Sequence, residues 1–136
     1  MSTLSPPSLE RSFRGHRGPV LSVSFAPNLK QLASASSDKC LMLWNFRPSL
    51  RAFRYQSHKA PVNFVEFAHT GKYIASGSSD CTIKLWSPTA KGDCMTMKGH
   101  SAPVRSVHFN STDQFFCSAS DDKTVKVWST QNRKFH

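Results

Sequence analysis

With 136 residues, 38% of them apolar and 11% aromatic, the chain has the length and composition of a single packed domain rather than a disordered segment. No stretch reaches the roughly 18 consecutive apolar residues that a membrane-spanning helix needs. Met1 to Ser8 shows neither a basic n-region nor an apolar h-region, so a soluble, non-secreted protein is expected.

The charge balance is strongly basic, with 18 Lys and Arg against 8 Asp and Glu for a formal net charge of +10. Such a charge raises encounter rates with any polyanion, whether nucleic acid, an anionic membrane or the acidic surface of a cytoskeletal polymer. It chooses among none of these, and a solvated basic surface without a partner has the same composition. Cys40, Cys81, Cys94 and Cys117 follow no regular spacing and form no C-x-x-C pair, which fits reduced thiols in a cytosolic setting.

In chain order, residues 1–8 read as a flexible leader and Leu9 to Arg14 as a short strand. From there a period of 42 governs the sequence. His16, His58 and His100 keep that spacing, as do Asp38, Asp80 and Asp122, and Trp44, Trp86 and Trp128. Pro19, Pro61 and Pro103 share the register, together with the pairs Val23 and Phe25, Val65 and Phe67, and Val107 and Phe109. A fixed period of this length marks a structural unit that buries its faces against copies of itself.

The units run over about 16–56, 58–98 and 100–136. Each reads as short strands of alternating apolar, β-branched and aromatic residues separated by turns. In the second copy the pattern predicts strands over Val62 to Phe67, Tyr73 to Gly77, Cys81 to Trp86, and Cys94 to Met97. Thr70-Gly71 and Ser79-Asp80 are the turns between the first three, and Ile83 and Leu85 fall on one face. No segment carries a sustained helical period.

Four strands per roughly 40 residues, a Gly-His dipeptide near the start and a Trp closing the third strand resemble the WD40 family. The likeness runs from Leu9 to Phe135 and implies an all-β fold of WD40 β-propeller blades, three repeats in an incomplete ring. In that family a His before the innermost strand, a Ser or Thr in the second strand, an Asp in the next tight turn and the Trp of the third strand form a buried hydrogen-bonded set. The matching residues are His16, Ser34, Asp38 and Trp44; His58, Ser76, Asp80 and Trp86; and His100, Ser118, Asp122 and Trp128. Ser36, Ser78 and Ser120 are the alternatives for the hydroxyl. Burying a carboxylate and an indole N–H is costly unless each finds a partner, so a satisfied set pins the turns of its blade.

Departures are visible: Asn45, Ser87 and Ser129 follow the Trp residues where the family has Asp, and Ser57 replaces one Gly of Gly-His. The resemblance also makes Leu9 to Arg14 the outer strand that completes the last blade. Propellers use about 4 to 8 blades, so three repeats leave the ring open, with the last outer strand cut short at Phe135-His136. An excerpt, a short isoform and surface borrowed from a partner all fit. Such an arc is expected to expose an apolar sheet face and strand edges, which invites self-association.

Several segments resemble the centriolar branch of the family more than WD40 blades in general. These are Ser8 to His16, Lys30 to Ser34, Cys40 to Met42, Val104 to Phe109, Ala119 to Trp128 and Arg133 to Phe135. That likeness implies a scaffold of centrioles and ciliary basal bodies in the cytoplasmic cytoskeleton, associated with tubulin in microtubule walls and with other centriolar proteins, and supporting centriole and cilium assembly. Members of that branch add further blades and a carboxy-terminal coiled coil, and functions that depend on the coil are not carried over.

Other constellations carry less. One His per repeat cannot converge on a single ion, so no metal is expected, nor any cofactor. His108, beside Phe109, reads as a packed or half-exposed side chain. Cys81 sits on a turn with no neighbour that argues for a thiolate. The Asp, His and Ser of each repeat copy a hydrolase triad in type, but a catalytic set is built once, and no G-x-S-x-G elbow is present. No G-x-x-x-x-G-K-[ST] or G-x-G-x-x-G loop occurs. Asn110-Ser111-Thr112 matches a glycosylation sequon that reads as a turn. No catalytic residue is assigned and an enzyme is not expected.

Loops entering the innermost strands and the turns beside the Asp positions make Arg17, Lys59, Arg105, Ser37, Ser79 and Asp121 candidates for partner contact. Three function classes remain: a centriolar or axonemal scaffold, a nucleic-acid-associated propeller, and an adaptor that reads a peptide elsewhere in the cytoplasm or nucleus. The second is weakened by the absence of exposed strands interleaving basic and aromatic residues, the third by the absence of accessory segments. Membrane insertion is not expected.

Overall fold

The computed structural model describes residues 5–130. Within them the chain forms eleven strands and no helix: β1 (Val20–Phe25), β2 (Gln31–Ser36), β3 (Cys40–Asn45), β4 (Phe53–Gln56), β5 (Val62–Phe67), β6 (Ile74–Ser78), β7 (Thr82–Trp86), β8 (Cys94–Lys98), β9 (Val104–Phe109), β10 (Phe115–Ser120) and β11 (Val125–Ser129). They build three antiparallel sheets in sequential order, β1-β2-β3-β4, β5-β6-β7-β8 and β9-β10-β11. The strands β1, β5 and β9 begin 42 residues apart, so each sheet is one repeat laid down in the same register.

The same ladder irregularity recurs where the innermost strand begins, between Val20 and Ser22 on β1, between Val62 and Phe64 on β5, and opposite Ala119 and Ser120 in the third sheet. A bulge at that point bends the strand into the loop that carries the His of the repeat. In the second sheet, β7 starts at Thr82 rather than Cys81. Cys81 has φ of +72°, as Lys39 (+74°) and Lys123 (+72°) have at the matching positions, and a left-handed residue belongs to the turn, not to the pleat. β6 starts one residue late, at Ile74, whereas the matching Gln31 and Phe115 open β2 and β10; in all three repeats that residue's carbonyl accepts from the amide five positions earlier.

The sheets stack face to face, β1 beside β5 and β5 beside β9. Two apolar layers result. Ala33, Ala35, Leu41 and Leu43 of the first sheet meet Val62, Val65, Phe67, Ile74 and Trp86 of the second. Ala75, Ile83 and Leu85 of the second meet Val104, Val107, Phe109 and Phe116 of the third. Polar stitches run along the same seams. Ser22 and Ser24 accept the N–H groups of Val65 and Phe67. Glu66 accepts that of Phe109, and Asn63 donates to the Val104 carbonyl. Asp113 accepts from the His69 and Thr70 amides across the second seam.

Leu9 to Arg14 departs from the sequence expectation, because it is not a strand. A lone extended segment has no ladder to join, and no strand lies beside it among the described residues. It is held by its side chains instead. Phe13 lies tilted against Trp44 and stacks on Phe46, at 5.3 and 6.0 Å between ring centres, and Arg11 donates to the Phe46 carbonyl. The third sheet has three strands among the described residues, with β11 at its edge. Residues 1–4 and 131–136, which include Arg133 to Phe135 and the expected truncated outer strand, lie outside the description.

Candidate functional site

In each sheet the His, Ser, Asp and Trp of the repeat lie in one connected chain of hydrogen bonds. In the second, the Trp86 indole N–H donates to Ser76 Oγ at 2.8 Å, Ser76 Oγ lies 2.7 Å from His58 Nε2, and His58 Nδ1 lies 2.8 Å from Asp80 Oδ2. The corresponding distances are 2.8, 2.5 and 2.9 Å through Trp44, Ser34, His16 and Asp38. They are 2.9, 2.7 and 2.7 Å through Trp128, Ser118, His100 and Asp122.

The direction of the protons follows from chemistry. An indole nitrogen only donates, so the serine oxygen accepts there and gives its single hydrogen to His Nε2. Nε2 is therefore the bare nitrogen, and Nδ1–H points at the carboxylate. Each Asp also closes its own turn. Asp80 accepts from the Lys59 and Thr82 amides and the Thr82 hydroxyl. Asp38 accepts from the Arg17 and Cys40 amides, and Asp122 from the Ser101 and Thr124 amides and the Thr124 hydroxyl.

Burial pushes the Asp80 carboxyl up, but hydrogen bonds from Thr82, Lys59 and His58 outweigh it and hold the group well below the usual carboxylate range. The same balance lowers Asp38, through Arg17, His16 and Cys40. The Thr124 hydroxyl is the main cause that lowers Asp122. His58 moves down, because burial opposes its charged form more than Asp80 favours it. A neutral imidazole beside an ionised carboxylate is the state the hydrogen-bond directions require.

Ser36, Ser78 and Ser120 do a different job. Each shares its one hydroxyl hydrogen between two carbonyls of the loop entering the innermost strand, those of Gly18 and Pro19, Ala60 and Pro61, or Ala102 and Pro103, and accepts from the amide of its Asp. Strand alternation does not separate the two serines, since Ser34 and Ser36 share a face. Their height along the strand does.

Asp80, His58 and Ser76 thus stand at triad distances. Ser76 and Ser78 are both fully buried, however, and a lone pair of Ser76 Oγ is taken by the indole. That oxygen is committed to the indole and the imidazole inside the sheet, an arrangement that holds the turn. Among the described residues no three His, Cys, Asp or Glu side chains gather to hold a metal. The four cysteines are free thiols. His108 is half-exposed, its Nδ1 3.2 Å from Glu66 and its ring edge-on to Phe64.

The six candidate contact residues all lie at one end of the stacked sheets, where the innermost strands begin and the tight turns sit. Backbone bonds tie the two loops of each sheet there, from Ser37 to Pro19, Ser79 to Pro61 and Asp121 to Pro103. Arg17 and Lys59 are exposed and have no carboxylate partner among the ion pairs of the described residues. Arg105 makes a two-pronged pair with Asp121, at 2.7 Å for the closest contact. Ser79 accepts from Asn63 at 3.1 Å, and Ser37 is half-buried. The turn lysines Lys39 and Lys123 are exposed at the same end. Because the Asp carboxylates are consumed inside the sets, this end presents cations outward.

Sequence reasoning passed over a recess of about 540 Å³ in the second sheet, lined by Lys59, Lys84 and Lys98 with Asp80, Thr82 and Thr96. There Lys84 is buried and donates to Thr96 at 2.6 Å. Also missed were the rings that cover Trp44 and Trp86. Tyr55 stacks on Trp86 at 5.2 Å, and Phe13 lies tilted against Trp44 at 5.3 Å. The 42-residue step from Phe13 to Tyr55 was the available signal.

Stacked antiparallel sheets, two of four strands and one of three among the described residues, with these pinned turns define a β-propeller repeat protein. The WD domain, G-beta repeat family matches residues 7–45, 50–87 and 92–129, and the chain belongs to it. Individual relatives are centriolar proteins. The chain is 61% identical over 49 residues to POC1 centriolar protein homolog A of Xenopus tropicalis, covering 36% of this chain and 11% of that protein. It is 52% identical over 54 residues to POC1 centriolar protein homolog B of Xenopus laevis, and 54% identical over 54 residues to homolog B of Mus musculus. Each of these matches covers 40% of this chain, with 12% and 11% of the relatives respectively. The matched stretch therefore spans only about a tenth of the length of these relatives.

Proposed function

We propose that this chain is a non-catalytic protein-binding scaffold of centrioles and ciliary basal bodies that associates with the microtubule wall and supports centriole and cilium assembly. The observation that carries the reading is the likeness to the POC1 centriolar proteins. The cationic end described above supports it, because tubulin surfaces are acidic and a set of exposed Arg and Lys side chains on a rigid frame steers encounter with such a surface. Arg17, Lys59 and Arg105 make the contact, with Ser37, Ser79 and Asp121 beside them. Self-association through the unpaired sheet faces belongs to the same proposal.

The test is co-sedimentation of the tagged chain with microtubules, together with its localisation in ciliated cells. The chain pellets at low salt, less so as salt rises, and marks basal bodies. Reversing Arg17 and Lys59 to Glu weakens pelleting most at low salt, where screening is least. Diffuse staining together with no pelleting at any salt rejects the reading.

A further inference from the structure

We propose that two copies of this chain close head to tail into one six-bladed ring, in which β11 of each copy takes residues 11–14 of the other as its outer strand. This deepens the self-association proposed above and rests on it.

The two free faces of the stack match its buried seams residue for residue. Val23 and Phe25 lie 42 positions before Val65 and Phe67. The first pair is 61% and 66% exposed, the second 1% and 6%, because the first sheet covers it. At the other end, Val125 and Val127 lie 42 positions after Ile83 and Leu85. They are each 71% exposed where their counterparts are 0% and 3%. At both internal seams the occupant of such a face is a sheet of this same repeat. The face presented by the third sheet is the kind that the first sheet lacks, and the reverse also holds.

The outer strand makes the argument specific. Residues 11–14 lie 42 positions before β4, and Phe13 meets Trp44 at 5.3 Å as Tyr55 of β4 meets Trp86 at 5.2 Å. This segment is thus already held where an outer strand belongs, without a sheet to join. β11 pairs with β10 alone among the described strands. Bringing the two together satisfies both backbones and removes both edges.

The seam bonds also extend. Ser24 takes the amide of Phe67 and Glu66 takes that of Phe109. His108 holds the next place in this series, for the Phe25 amide of the second copy. Two sets of three sheets give six, inside the range of about 4 to 8 blades. The two junctions are identical, related by a two-fold axis, and form together.

Light scattering coupled to gel filtration tests this across protein concentration and salt. The expected species has twice the 15.2 kDa chain mass and gains population with salt, because screening relieves repulsion between two chains of +10 each. Phe25→Glu and Val127→Glu each place a charge on an exposed position, so circular dichroism stays that of the parent while the mass halves. Mixing the two variants restores a dimer through the one intact junction, which neither forms alone.

A wild-type chain that stays monomeric under all conditions overturns self-association altogether. A dimer that survives either single substitution, growth beyond two chains, or a mixture no heavier than its components overturns the ring alone.

Discussion

Ser76 Oγ holds two hydrogen bonds at once, accepting from Trp86 and donating to His58, inside a layer with no water access. Removing it leaves a buried indole donor and a buried imidazole acceptor unpaired. Ser76→Ala is expected to cost about 1–3 kcal/mol, read from the urea midpoint at unchanged slope. The set also fixes the pH response. Asp80 lies below its ordinary value in the fold, so the stability it contributes is complete above about pH 4. It is lost as pH falls through the lowered value. His58 is lowered as well, so the folded chain binds fewer protons than the unfolded one, and stability declines as pH drops below about 6.5. Both act in one direction. Urea midpoints should therefore rise from acid to neutral pH, and Asp80→Asn should shrink the lower part of that rise, leaving the share of Asp38, Asp113 and Asp122. A left-handed Cys81 at φ +72° predicts that Cys81→Gly is neutral or stabilising by up to about 1 kcal/mol, since glycine removes the Cβ strain but costs chain entropy. Thermal melts of the two proteins decide it.

At the level of the element, the seam between sheets is set by how closely β2, β6 and β10 let a neighbour approach. Gly77 on β6 faces Val104 so tightly that an added Cβ would stand 2.7 Å from Val104 Cγ1. Gly77→Ala is expected to destabilise by about 1–3 kcal/mol. The low end is favoured, because an alanine, Ala35, fills the matching place at the first seam and is fully buried there. The elements themselves were largely legible, because strand alternation and turn residues are local properties repeated three times. The boundary at Cys81 was not, since one left-handed φ ended the pleat where the side-chain pattern continued. Leu9 to Arg14 was misread for another reason: alternation marks a segment able to be a strand, but a ladder needs a partner that no local pattern supplies.

For the whole molecule, salt separates the two associations proposed. Contact with an acidic wall weakens as salt rises, whereas apolar closure between two basic chains strengthens, so titrating salt should drive microtubule pelleting and dimer mass in opposite directions. The amino-acid sequence by itself determined the repeating unit, its four-strand content, the recurrence of the His, Asp and Trp positions and the excess of cations, because each is fixed by residue type and spacing along the chain. Only the tertiary structure decided which serine of each pair bridges His and Trp, which rings cover Trp44 and Trp86, which carboxylates are consumed and which apolar faces stay bare. Those outcomes depend on distances between groups far apart in sequence, and such distances exist only once the sheets have stacked.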